Sequence, residues 1–561
     1  MKALRAEPLS LNKIFSDREF VIPEFQRPYS WGIEECEQLW IDISSFIDDH
    51  INGARDDKEQ YFLGSIVVYP DEENTNAWVI IDGQQRLTTL LVLIRLLFAI
   101  NSTYIVLQKM FYKTDPKTTE IITEPRLESK VLAGDGRNDY EDFKKVMNLE
   151  TENLQSNNPY KLNHDIVVEK LNEWWNGKTV EQRELALKIF QENIVLLPIE
   201  CDSLDDALTL FQIINDRGMS LNDADIFKAD IYGMSKDQDR ESFIKRWHAL
   251  DDHETLFRIH MHIIRSRAGD TGKEIGLRTY IKKYFKTLEN PSEDWNLIVS
   301  SLEGYHKIRT QGVVGSDVFT CDANIFWAIL NQYPNIYWGY PLYVYLNKYG
   351  KQNDGYFYLD DEGKQKDYID LLKNTIRYFY IKGVVYNAVN AVKDTTFKVC
   401  DAIANEKDYI AKYRDNIKES DLGDCNKKLA TNDYGRRYKK GLLWLCSSLN
   451  DNQNRSDYAE TIAQCHIEHI LPWRWANYDE WDAESHEQNV EIIGNQIPLE
   501  WKLNIQAGCS FFQGKQKYYQ KSKIRDALDL SEKAPASWVP EDLMKRQQDS
   551  LNRLEKFFGD I

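Results

Sequence analysis

The chain has no C-x-x-C pair. Its eight cysteines, Cys36, Cys201, Cys321, Cys400, Cys425, Cys446, Cys465 and Cys509, are scattered over 561 residues. That scatter excludes a disulfide framework and fits free thiols in a reducing compartment, so a cytoplasmic location is expected. Long apolar runs are also missing. The longest, Leu90 to Ile100, is broken by Arg95 and falls short of the ~20 residues that span a bilayer, so no membrane role is expected. The N-terminal stretch "MKALRAEPLSLNKIF" has no apolar h-region, and no signal peptide is expected. Basic residues are in the minority, with 70 Lys and Arg against 89 Asp and Glu and a net charge of −19. A protein that is basic all over is thereby excluded, but a local basic patch facing nucleic acid is not. No G-x-x-x-x-G-K-[ST] loop occurs, which excludes ordinary P-loop chemistry.

Aromatic residues, by contrast, are plentiful, with 15 Trp, 31 Tyr and 23 Phe. They argue against long disordered tracts. The length implies more than one core. Residues 1–235 alternate β-like runs ("YFLGSIVVY", "WVIID", "ENIVLLPIEC") with helical ones ("DDALTLFQIIND"). Residues 236–400 carry long helical periodicities rich in Tyr and Phe. From 401 to 561 helices lead into another strand-and-helix region. The expected architecture is therefore α+β and multidomain, with an α/β N-terminal domain, a helical middle and a smaller α/β C-terminal domain.

Two polar clusters interrupt apolar segments. In "WVIIDGQQRLTTLLVLI" (78–94) a strand delivers Asp82, Gly83 turns, and a helix opens at Gln84 or Gln85. The unpaired N–H groups at such an opening bind anions readily. Arg86 offers a fork for phosphate, the amides of Gln84 and Gln85 can read a base or ribose, and Asp82 can hold Mg²⁺ through water. The competing structural reading makes Asp82 a cap and Arg86 a surface ion pair. "IPEFQRPYSW" adds Gln26 and Arg27 in a Pro-flanked loop, and residues 211–221, "FQIINDRGMSL", add Asn215 and Arg217.

These stretches, together with "FLGSIVV", resemble the N-terminal domain of the GmrSD family of modification-dependent (type IV) restriction systems, over roughly residues 8–235. The resemblance implies a ParB-like fold that binds and hydrolyses NTPs. It makes Gln26, Arg27, Asp82, Gln84, Gln85, Arg86, Asn215 and Arg217 candidates for the nucleotide pocket, with Lys228 a weaker one.

In "AQCHIEHILPW" the second cluster sets Glu468 beside His469 at the end of a strand that Pro472 stops. An acidic loop, a second strand ("VEIIGNQIPLEWKLN") and a helix ("SFFQGKQKYYQKSKI") follow, the ββα order of a His-Me finger (HNH) nuclease. Phosphodiester hydrolysis needs a base and a cation. His469 suits the base, Glu468 and Asn504 offer oxygen ligands to Mg²⁺ or a similar ion, Asn495 steadies the base's loop, and Lys515 is a candidate for the phosphate. Residues 501–525 hold Lys502, Lys515, Lys517, Lys521, Lys523 and Arg525 and no acid, a candidate phosphate track or simply a solvated face. The pattern also resembles the C-terminal half of the GmrSD family over about 400–525, except that "GNQIPL", with Gln496 and Pro498, stands where the family usually has an apolar "GNLTLL"-like strand.

The combined expectation is an NTP-regulated, metal-dependent DNA endonuclease of the modification-dependent type, acting on modified phage DNA and possible as a homo-oligomer. A non-cleaving, NTP-switched DNA-binding protein with a degenerate HNH fold is the alternative, and an RNA-cleaving toxin a third. A zinc site from Cys465, His466, His469 and Cys509 lacks the usual ligand spacing, and His260 and His262, two apart on a helix, read as structural.

Overall fold

The computed structural model describes residues 5–560 apart from 73, 116, 119, 132–138, 205, 208–209, 211–222, 354–355, 475, 477, 479 and 535. The chain divides into two compact units, Met1–Glu254 with Leu288–Val299, and Thr255–Thr287 with Ser300–Ile561. Both helices and a mixed sheet are present, as an α+β reading requires.

The first unit is built on a sheet of β1 (Arg5–Ala6), β2 (Leu9–Ser10), β3 (Glu19–Ile22), β4 (Tyr61–Pro70), β5 (Ala77–Asp82), β8 (Leu127–Ser129) and β9 (Ile194–Glu200), with a separate hairpin of β6 (Tyr112–Thr114) and β7 (Ile121–Pro125). Strands β1 and β2 both pair antiparallel with β9. The order then runs β9, β4, β5, β3, β8, parallel except between β4 and β5. Strand β5 is buried almost throughout because neighbours flank it and helices cover it, so it reads as a continuous apolar run instead of an alternating one. The helix Gln84–Ile100 is buried nearly all round. Against the same core lies the helix Ile33–Ile51, whose Leu39, Ile43, Phe46 and Ile47 form one stripe at helical spacing.

Helices dominate the second unit, among them Glu362–Tyr386, whose Asp361 side chain caps the N-terminus by accepting from Lys364 N at 2.8 Å. Many tyrosines pack inward there, and several of their buried hydroxyls find partners. Tyr380 donates to Ile329 O at 2.9 Å, Tyr345 to Lys364 O at 3.0 Å and Tyr378 to Thr395 at 2.8 Å. A short hairpin, β10 (Lys351–Asn353) and β11 (Tyr356–Tyr358), interrupts the helices. Near the end of the chain β12 (Cys465–His469) pairs antiparallel with β13 (Gln496–Glu500), and the helices Trp501–Ala507 and Phe512–Tyr519 follow. Pro498 sits opposite Ile467 in this two-stranded sheet, where each strand has a free edge and a missing N–H is tolerated. Among the described residues no helix is long and apolar enough to cross a membrane.

Candidate functional sites

At the first cluster the chain turns on Gly83, at φ 90°. A Cβ there would lie 2.5 Å from Ile66 Cγ2, so both backbone and space demand glycine. The first intrahelical bond runs from Leu87 N to Gly83 O, which leaves the N–H groups of Gln84, Gln85 and Arg86 without helical partners. Both glutamine side chains are buried and turned onto the loop 26–31. Gln85 Oε1 accepts from Ser30 N at 2.8 Å and Trp31 N at 3.1 Å, while its Nε2 donates to Pro28 O at 3.2 Å. Gln84 Nε2 donates to Arg27 O at 3.2 Å, and Gln26 Nε2 to Ile81 O at 3.1 Å. The glutamines thus clamp the "FQRPYSW" loop against the strand end and the helix start. Gln84 Oε1 is buried and has no hydrogen-bond partner.

Charge collects at the same place. Arg86 Nη1 donates to Ser65 O at 3.2 Å beneath Gly64, which has φ 115° and would press a Cβ to 2.9 Å from that nitrogen. Burial pushes the Asp82 carboxyl up, opposed by the Gly83 N–H, Arg86 and Arg27. Burial likewise lowers Arg86, offset by Asp82. Arg27 is exposed. Gln26, Arg27, Asp82, Gln84, Gln85 and Arg86 are therefore brought together, whereas Asn215 and Arg217 lie outside the described residues. Lys228 is buried with Nζ 3.0 Å from His248 Nε2, and burial followed by Lys228 pushes that ring down to about 4.

The second cluster is held by an asparagine. Asn495 Oδ1 accepts from Leu471 N at 2.8 Å, and its Nδ2 donates to Leu471 O at 3.0 Å and Val490 O at 2.9 Å. Its carbonyl also accepts from Ile470 N at 2.9 Å. The loop leaving His469 is thereby fixed. Gly494 is needed beside it because a Cβ would meet the Gln547 backbone at 2.7 Å.

Glu468 and His469, neighbours on a strand, meet different surroundings. Glu468 is 3% exposed and its Oε1 accepts from Lys515 Nζ at 2.7 Å and Tyr519 OH at 2.8 Å. Lys515, 1% exposed, also donates to His469 O. The ammonium is thus spent inside the protein instead of being offered to solvent. The half-buried His469 ring has Gln496 Nε2 at 2.8 Å and Glu491 Oε1 at 3.4 Å from its Nε2. Lys439 Nζ pairs with Glu491 Oε2 and also donates to Glu491 O. Hydrogen bonding to His469, then to Lys439, holds the Glu491 carboxyl down at about 2. The exposed Trp473 ring lies edge-on to His469, centroids 5.7 Å apart.

Asn504 is half-buried, its Nδ2 donating to Ile467 O at 3.3 Å. Glu468 Oε2 and Asn504 Oδ1 take no hydrogen bond among the described residues, so each keeps an oxygen of the hard type Mg²⁺ prefers. No three His, Cys, Asp or Glu side chains converge on a metal position among the described residues. The zinc set is accordingly not assembled: Cys465 is buried and donates to Thr461 O, while His466 and Cys509 are exposed. In the basic stretch, Lys523 pairs with Asp457 and Glu460 and Arg525 with Asp529, while Lys502, Lys517 and Lys521 are exposed and make no ion pair among the described residues. His260 and His262 are buried, the latter stacked on Tyr340 with centroids 3.9 Å apart. Sequence reasoning did not reach Glu491 or Lys439, and it read Tyr519 only as an aromatic within the basic stretch, not as the partner of Glu468. Glu491 stands only four residues before Asn495, but nothing local announces Lys439, which lies 52 residues away.

Comparison with known families covers the stretches that hold both clusters. A profile of the GmrSD restriction endonuclease N-terminal domain matches residues 11–232, and one of the GmrSD restriction endonuclease C-terminal domain matches residues 414–551. No protein of curated function matches the chain. With the two halves present in order and spanning more than half of its length, the chain belongs to the GmrSD family of restriction endonucleases.

Proposed function

We propose that this protein is an NTP-regulated, metal-dependent DNA endonuclease of the modification-dependent type, acting in the cytoplasm against modified phage DNA. The N-terminal part would be a ParB-like NTP-binding and NTP-hydrolysing domain, and the C-terminal part an HNH (His-Me finger) nuclease. The observation that carries the nuclease reading is His469: its loop is clamped by Asn495, its Nε2 is enclosed by Gln496 and Glu491, and its Nδ1 has no partner among the described residues. A histidine so held can take a proton from water as that water attacks phosphorus and the 3′ oxygen departs. A divalent cation would supply charge stabilisation for the phosphate, and Glu468 Oε2 and Asn504 Oδ1 are the oxygens that would hold it. In the N-terminal part, the free N–H groups at the start of Gln84–Ile100, Arg86, the exposed Arg27 and the unpartnered Gln84 Oε1 suit a nucleoside triphosphate.

One observation favours the second reading, an NTP-switched DNA-binding protein that does not cleave: the Lys515 ammonium already neutralises Glu468. Cleavage of plain and modified phage DNA with Mg²⁺, with and without NTPs, decides between them. Cutting by the wild type that His469→Ala abolishes supports the nuclease. If His469→Ala cuts as well as wild type, the base assignment is refuted. No cutting under any condition favours the binding protein.

A further inference from the structure

The chain just past His469 is fixed twice. Asn495 holds Leu471 at both its N–H and its carbonyl, and the buried His486 donates from Nε2 to Pro472 O at 2.8 Å. The next two side chains leave this pinned stretch for solvent. Trp473 is 55% exposed, and its ring contact among the described residues is the edge-on approach to His469, centroids 5.7 Å apart. Arg474 is exposed, and its guanidinium makes no hydrogen bond, ion pair or ring contact among the described residues; only its carbonyl is engaged, by Tyr478 OH. Apolar side chains scattered singly over a surface need no explanation. This one differs because a backbone held at Leu471 and Pro472 gives the indole a set position, and that position is beside the imidazole. A nucleotide matches both side chains at once, with a flat base to stack on the indole and a phosphate for the unspent guanidinium.

We propose that Trp473 is the stacking platform for an unstacked base of the DNA strand at the His469 site, with Arg474 holding an adjacent phosphate. This rests on the reading of that site as the nuclease centre, and it adds what the site grips. Inside a duplex both faces of every base are covered by neighbours, so an indole can stack only on a base that is single-stranded or drawn out of the helix. Every base has a π-face, so the platform selects an opened strand and not a base identity. A matched duplex must first give up pairing and stacking at that step, which lowers its affinity relative to DNA already open there. Arg474 acts on the backbone, which open and paired DNA share, and so adds affinity without selecting between them.

The test measures binding by the full chain, in EDTA so that nothing is cut, to three labelled unmodified DNAs: a single strand, a matched duplex, and the same duplex with a central mismatched bubble. Wild type should bind the single strand and the bubble more tightly than the matched duplex. Trp473→Ala should weaken those two about tenfold, as one lost stack requires, and the matched duplex by no more than about twofold. Trp473→Phe, which keeps an aromatic face, should recover most of the difference. Arg474→Ala should weaken all three alike and lower the slope of log affinity against log salt by about one. A wild type with no preference for open DNA overturns the proposal, as does a Trp473→Ala variant that loses nothing or loses equally on all three. An unaltered salt slope in Arg474→Ala overturns its phosphate assignment. Cleavage with Mg²⁺ separates this from the nuclease reading. If His469→Ala cuts like wild type, the base assignment fails, while the preference for open DNA and its loss in Trp473→Ala are read without any cutting.

Discussion

The two polar clusters use the same kind of device and differ in what they do with charge. At Asp82–Arg86 a glutamine amide, Gln85, staples a loop by three hydrogen bonds to its backbone. At Glu468–His469 an asparagine amide, Asn495, does the same with three of its own. Planar amides suit this work because they donate and accept at once without bringing net charge into a buried place. Around the first staple the cations stay available: Arg27 is exposed, and Arg86 gives Ser65 O one of its donors. Around the second, ammonium and carboxylate are joined inside, Lys515 to Glu468 and Lys439 to Glu491. Polar residues between buried segments therefore mark a constrained loop in both places, and the two differ in whether the charges beside the loop are paired inside the protein.

The largest expected effect comes from breaking the inner ion pair. Lys515→Met leaves the Glu468 carboxylate buried with only Tyr519, which should cost about 3–5 kcal/mol. Calorimetry should register a large fall in melting temperature for the second unit, and adding Glu468→Gln should recover much of it. Little change in the single variant would mean that the pair is not buried as described.

Next comes the first staple. Gln85→Ala leaves Ser30 N, Trp31 N and Pro28 O without this partner, at an expected cost of about 3 kcal/mol. Hydrogen exchange at residues 28–31 should rise far more than exchange in β5. Protection of residues 28–31 in Gln85→Ala equal to that in wild type would show that the loop is held by other contacts.

Away from the clusters, the second unit also buries an imidazole. Burial pushes His260 down to about 4, below the roughly 6.5 of an unfolded chain. Between these values the unfolded state binds the proton and the folded state does not. Stability should be intact above about pH 6.5 and fall as pH drops toward 4, by up to about 1.4 kcal/mol per pH unit. His260→Phe should flatten that part of the urea-midpoint profile, and an unchanged slope would assign the acid sensitivity elsewhere.

The smallest effect on stability is expected at Arg27, which is exposed. Arg27→Ala should shift unfolding by less than about 0.5 kcal/mol yet weaken NTP binding about tenfold by titration calorimetry, since it removes a phosphate donor. Unaltered binding would remove Arg27 from the pocket and leave its loop a purely structural feature.

Much of this was legible in the residues. Asp82-Gly83 before a long apolar run marks a strand-to-helix turn, and Gly494-Asn495 after an acidic loop marks a second fixed loop. These patterns are local, and the backbone demands behind them act over a few residues. The partners were not legible. Whether Lys515 faces a phosphate or the carboxylate 47 residues before it, and whether Gln84 and Gln85 read a ligand or clamp a loop, depends on which surfaces pack together. The sequence by itself determined the family, the mixture of sheet and helices, and the places where glycine and amide side chains are required. Only the tertiary structure decided which charges are spent internally, because a charge is neutralised by neighbours in space, and Lys439 reaches Glu491 across 52 residues that carry no periodic signal linking them.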